Sequence, residues 1–178
     1  MDNYKKYLEE LIPSADKERV WLFFLAFSRF EYALKKSRFA RIKKQKFANK
    51  PADESIIVEW DRFASEYQHA FKPDSNVRLR TAYDYFVSHP PEKQILKGSL
   101  LGSIESHPLG DNPPLCWLVT MLRRVRNNLF HGGKFPVLIR PISDTARDSQ
   151  LIEHSLVILQ ACLALDSNVQ HAFMESSE

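Results

Sequence analysis

Arg126, Asn127 and His131 lie within six residues in the stretch RRVRNNLFHGGKF, from Arg123 to Phe135, and are of the types that hold an anion and move a proton. A guanidinium stays charged at working pH and offers several donors to an oxyanion. An imidazole serves as acid or base near neutrality. An amide can orient that ring or donate to a bound oxygen. Asn127 precedes His131 by one helical step of four, so the two share a face. Arg126 precedes it by five, which separates the two by about 140° on an ideal wheel. One helix does not close Arg126 on His131 by itself. Gly132 suits the left-handed conformation that ends a helix, which places His131 in the last turn. There the negative helix end favours imidazolium. The plainer reading of His131 is a helix cap without chemistry.

Two elements must position this set. From about Leu115 to His131, the residues Leu115, Leu118, Val119, Leu122, Val125 and Leu129 fall in one sector of a helical wheel. Arg126 projects into that sector; Arg123, Arg124 and Asn127 do not. A long helix from about Ala15 to Arg41 carries a second stripe of Val20, Phe23, Phe24, Phe27, Phe30 and Leu34. Trp21, Leu22 and Leu25 widen it, so packing on more than one side is expected. Glu31 lies within this stripe. A buried charge is costly unless paired, and a Glu31–Arg126 contact across the two helices meets that need. Without chemistry, the same contact is a structural salt bridge at the bundle's edge.

The remaining chain reads as helices separated by proline. Asp2 to Leu11 suits a short opening helix, Ile56 to Phe71 an amphipathic one, and Val77 to Val87 another, stopped by Pro90 and Pro91. Gln94 to Pro114 reads as irregular, with a short helix near Ile95 to Ile104. Phe135 to Arg140 reads as an extended arm. The last helix, about Asp148 to Asn168, is apolar around most of its circumference and is expected at the centre. Twelve phenylalanines against five glycines suit a bulky helical core. The expectation is an all-α fold in a single domain over residues 1–178. Lys35 to Lys50 is rich in lysine and arginine, either an anion-attracting rim or a solvated helix end and loop.

The formal charge of +3 does not by itself mark a nucleic-acid binder. Cys116 and Cys162 form no zinc-ligand or redox spacing and read as buried thiols. His69, His89, His107, His154 and His171 show no metal spacing, and no metal or cofactor is expected. No signal-peptide pattern is recognised. No apolar run reaches the roughly eighteen residues of a membrane helix. The expected setting is cytoplasmic, with no membrane partner.

The segment Arg126-Asn127-Asn128-Leu129-Phe130-His131 resembles the Arg-polar-x-x-x-His signature of the HEPN superfamily, and Gly132-Gly133-Lys134 after it is typical of many members. The helix with Phe27, Phe30, Glu31 and Leu34 looks like that family's first core helix. Arg147-Asp148 and the apolar helix that follows look like its last. The resemblance implies a four-helix bundle with additional helices and loops inserted at about 56–114, and a homodimer whose motif helices share one cleft. It also implies a metal-independent endoribonuclease of a toxin–antitoxin, defence or RNA-processing system, acting on RNA. Arg126, Asn127 and His131 would be the catalytic set and Glu31 a support. The competing expectations are a non-catalytic HEPN partner of a nucleotidyltransferase, an antitoxin or RNA, and a plain helical scaffold.

Overall fold

The computed structural model describes residues 17–45, 53–98, 100–130 and 145–175. The expected opening helix, His131, the glycines after it and the expected arm at 135–140 lie outside these residues.

Helix α1 (Lys17–Lys36) buries Phe23, Phe27, Phe30 and Leu34, spaced so that they fall on one side. Lys35 and Lys36 occupy its last turn, where the helix's negative end favours cations. The chain then turns into strand β1 (Ala40–Gln45), which pairs antiparallel with β2 (Asp53–Val58) from Ala40 opposite Val58 to Gln45 opposite Asp53. Helix α2 (Trp60–Tyr67) follows after one residue. A 3-10 turn (Pro73–Ser75) leads into α3 (Val77–Ser88), where the Asn76 side chain accepts from the Leu79 amide as an N-cap. A second antiparallel hairpin, β3 (Lys93–Lys97) and β4 (Leu100–Ile104), comes next. Helix α4 (Pro114–Phe130), with proline in its first turn, carries the motif. Helices α5 (Thr145–Leu163) and α6 (Ser167–Met174) complete the described chain.

Helix α1 packs on α5 and α6, α3 on α5, and α4 on α2, α3 and α5. The core between them is rich in rings. Phe63 of α2 meets both Phe30 and Phe39 edge-on, at centroid distances of 5.7 and 5.2 Å, arrangements that add to simple burial. Phe63, Ala64, Leu79, Ala82 and Phe86 are all buried in this core. The segment expected as an elaboration therefore contributes α2 and α3 to the same core as α1 and α4. Cys162 is fully buried, and burial pushes its thiol up to about 12.

The fold is mainly helical with two hairpins, which corrects the all-α expectation. The first helix stops at Lys36 rather than near Arg41. Ile56, which stands at helical distance from Trp60, belongs instead to β2, where the β-branched run Ile56-Ile57-Val58 suits a pleated strand. The short helix expected near Ile95 to Ile104 is the second hairpin, turned at Gly98 with φ of +63°, a conformation that glycine adopts without strain. The last helix was expected to reach Asn168 but breaks at Leu163. Asp166, a buried carboxylate, caps α6 by accepting from the amides of Asn168 (2.8 Å) and Val169 (3.2 Å). Burial pushes this carboxyl up, but the Tyr67 hydroxyl, those amides and Arg38 outweigh it and hold it below its usual range. Trp21, Leu22 and Leu25, expected to be packed, are 60%, 53% and 46% exposed in the single chain.

Candidate functional site

Helix α4 presents two different polar faces. On one, the root of the second hairpin lies against the helix. Asn128, buried, donates to the Glu92 carbonyl at 2.9 Å. Arg124 donates to the Ser106 hydroxyl, which itself donates to the Pro91 carbonyl. Trp117 donates its indole N–H to the His107 carbonyl at 3.1 Å. Burial lowers the pKa of Arg124. These groups fasten the hairpin by satisfying backbone and hydroxyl partners that would otherwise be buried unmet. Nearby, Arg147 donates to the Pro90 carbonyl, and the Tyr85 ring lies 4.6 Å from both His89 and His154. Burial lowers the pKa of His154, with Glu153 opposing it.

The other face is built by residues one turn apart: Arg123, Arg126 and Asn127 stand at i, i+3 and i+4. Arg126 is half-buried. Its guanidinium carbon lies 5.9 Å from the centroid of the buried Phe27 ring on α1, and its Nη1 donates to the Asn127 Oδ1 at 3.0 Å. Phe27 lies 5.6 Å from the Trp60 ring at the start of α2, and Arg123 sits over that indole at 5.7 Å. Two neighbouring rings, tilted by 30° to each other, thus lie beside two arginines from the same helix. The ring faces favour the cations, while guanidinium N–H groups point along the plane, where oxyanions are bound.

The structure therefore brings two residues of the expected set together, Arg126 and Asn127. His131 follows Phe130, the last residue of α4, and lies outside the described residues. Arg126 meets α1 at Phe27, one turn before Glu31. The ion pair that the structure gives Glu31 is with Lys35 on its own helix, at 2.8 Å. Glu31 is half-buried and belongs to the wall of an adjoining groove of about 490 Å³. That groove runs between α1, the first hairpin, α2 and α4, and it also takes in Lys35, Arg41, Trp60, Arg62 and Arg123.

Sequence reasoning missed the groove and with it Arg41, Trp60 and Arg123. Arg123 was set aside as off the apolar sector, although its spacing from Arg126 and Asn127 already placed the three on one face. Arg41 falls in the basic stretch that reads as either an anion-attracting rim or a solvated helix end and loop, and neither reading puts it on a strand.

Among the described residues, no group of three or more histidines, cysteines, aspartates or glutamates is placed to hold a metal ion. No helix among them is long and apolar enough to cross a membrane. No protein-family model, curated protein or solved structure matches the chain.

Proposed function

We propose that this chain is a metal-independent endoribonuclease of HEPN type, cutting RNA by attack of its own 2′-hydroxyl at a site completed by a second copy. The observation that carries this reading is the Arg126–Asn127 pair, held over Phe27 at the end of α4 and immediately ahead of His131.

The chemistry needs a base at the 2′-hydroxyl, an acid at the 5′-oxygen, and positive charge where the phosphorane gains negative charge. One imidazole does not serve both proton transfers in a single step, and two subunits supply two. One His131 takes the 2′ proton as the 2′-oxygen bonds to phosphorus. The P–O5′ bond breaks, and the other His131 gives its proton to the leaving 5′-oxygen. The products are a 2′,3′-cyclic phosphate and a 5′-hydroxyl. The two Arg126 side chains hold the phosphate. Asn127 positions Arg126 through their hydrogen bond and orients the phosphate or imidazole. Glu31 acts indirectly, by holding Lys35 in the groove beside the site. In this reading the chain is cytoplasmic and acts as a toxin or defence effector.

Short RNA oligonucleotides with end-group analysis test this. H131A and R126A are each expected to lose at least about 100-fold in cleavage while remaining folded dimers. DNA, which lacks the nucleophile, is expected to survive. Full activity in clean H131A protein sinks the proposal.

A second reading has an observation of its own. Trp21, Leu22 and Leu25 leave α1 with an exposed apolar face, a feature of interaction surfaces. In that reading the chain is a non-catalytic partner of a nucleotidyltransferase or an antitoxin. Absence of RNA cleavage together with a stable complex through this face would favour it.

A further inference from the structure

We infer that the groove between α1, the first hairpin, α2 and α4 holds the backbone phosphate of an RNA nucleotide flanking the scissile one, gripped by Arg41 and Arg123. The identity of the ligand as RNA rests on the proposed nuclease reading; the anion-holding geometry does not.

Four cations line the groove, and two of them are already neutralised. Lys35 pairs with Glu31 at 2.8 Å and Arg62 with Glu59 at 3.0 Å. Arg41 and Arg123 carry no ion pair with any described residue. Asp61 also lines the groove, in the first turn of α2 where the positive helix end favours a carboxylate.

The two arginines enter from different elements. Arg41 stands on β1 opposite Ile57, and Lys43 is two residues on, so both cations project from the same face of the hairpin. Arg123 comes from α4 with its guanidinium carbon 5.7 Å from the centroid of the Trp60 ring. The indole favours the cation beside it, and the guanidinium carries five N–H donors suited to phosphate oxygens. A volume of about 490 Å³ lies within the range of small-ligand sites, roughly 300–1,000 Å³.

Continuity with the proposed cleavage site is the second argument. Arg123 and Arg126 are one turn apart on α4, which puts their Cβ atoms about 5–6 Å from each other. Trp60 under Arg123 touches Phe27 under Arg126. A strand whose reacting phosphate sits at Arg126 runs next past Arg123 and then under Arg41. The groove thereby favours substrates that extend beyond a single phosphodiester.

The test compares wild type with R41A, R123A and the double variant, with circular dichroism as the fold check. R41A alters an exposed strand residue, so it keeps the test informative if R123A disturbs Trp60. Cleavage of a ten-nucleotide single strand is expected to lose about 10-fold in kcat/KM per arginine removed, mainly through KM. Cleavage of a dinucleotide, which ends before the groove, is expected to stay unchanged in R41A. Binding of the same strand to H131A is read against salt. Its log–log slope is expected to fall by about 0.7 for each arginine removed.

If wild type cuts RNA and both the length dependence and the salt slope survive the double variant, the groove assignment falls and the nuclease reading stands. If RNA binds with an arginine-dependent slope but is never cut, the groove stands and the nuclease reading falls. If RNA is neither bound nor cut, both fall.

Discussion

The two polar faces of α4 use the same residue type to opposite ends. Arg124 is turned toward the second hairpin and spends its donor on Ser106, while Asn128 beside it is bonded to the Glu92 carbonyl. Arg123 and Arg126, on the other face, rest on the rings of Trp60 and Phe27. A guanidinium bonded to protein oxygens is committed to holding the fold. A guanidinium beside an aromatic face is oriented by the ring, and in the case of Arg126 by Asn127 as well. The difference separates a fastening from the proposed binding surface within a single helix, and it is set by what packs on each side rather than by the helix itself.

Substitutions at the two faces should part sharply. The largest contrast is in cleavage: R126A should lose activity by about 100-fold or more, while R124A should keep kcat within a few-fold of wild type. If R124A loses activity as severely while still folded, the division between the faces is wrong. Stability should show the reverse. N128A leaves the Glu92 carbonyl without its partner, and R124A leaves the Ser106 hydroxyl short of a donor. Each should cost about 1–3 kcal/mol in denaturant unfolding, whereas R123A, at an exposed position, should cost about 0.5 kcal/mol or less. The smallest expected effect is a pH dependence at the hairpin's root. Burial holds the pKa of His154 below its ordinary 6.5, so the unfolded chain takes up this proton more readily. Its share of stability is complete above that value and is lost as pH falls below it. H154Q should flatten the corresponding slope in a thermal-unfolding series between pH 7.5 and 5, and an unchanged slope would remove His154 from the account.

The stripes of α1 and α4 were legible because both are long and strictly periodic. Phe23, Phe27, Phe30 and Leu34, and Leu115, Leu118, Val119, Leu122 and Val125, are all buried as their spacing requires. The hairpins were not legible. Ile56 matched a helical stripe through Trp60 by spacing alone, and the basic composition of Ala40–Gln45 hid a strand in which Arg41, Ile42 and Lys43 are all exposed. Arg126 and Asn127 were singled out from type and placement, and their side chains do lie together. Arg126's support by Phe27 was not, because a wheel gives direction but not the partner that waits there. Glu31 illustrates the same gap: it lies where the wheel put it, yet its ion pair is with Lys35, the nearer cation on its own helix. The cap at Asp166 was missed, because the apolar run before it drew the expected helix past the break at Leu163.

The two thiols give the chain an internal clock. Cys116 is half-buried beside Ser65, whereas Cys162 is sealed between helices with its proton held up to about 12. A thiol reagent at neutral pH can therefore react with Cys162 only when α5 lifts from its neighbours. The second labelling event times the opening of the core, and a bound RNA or partner that steadies α1 and α4 would be read as a longer wait.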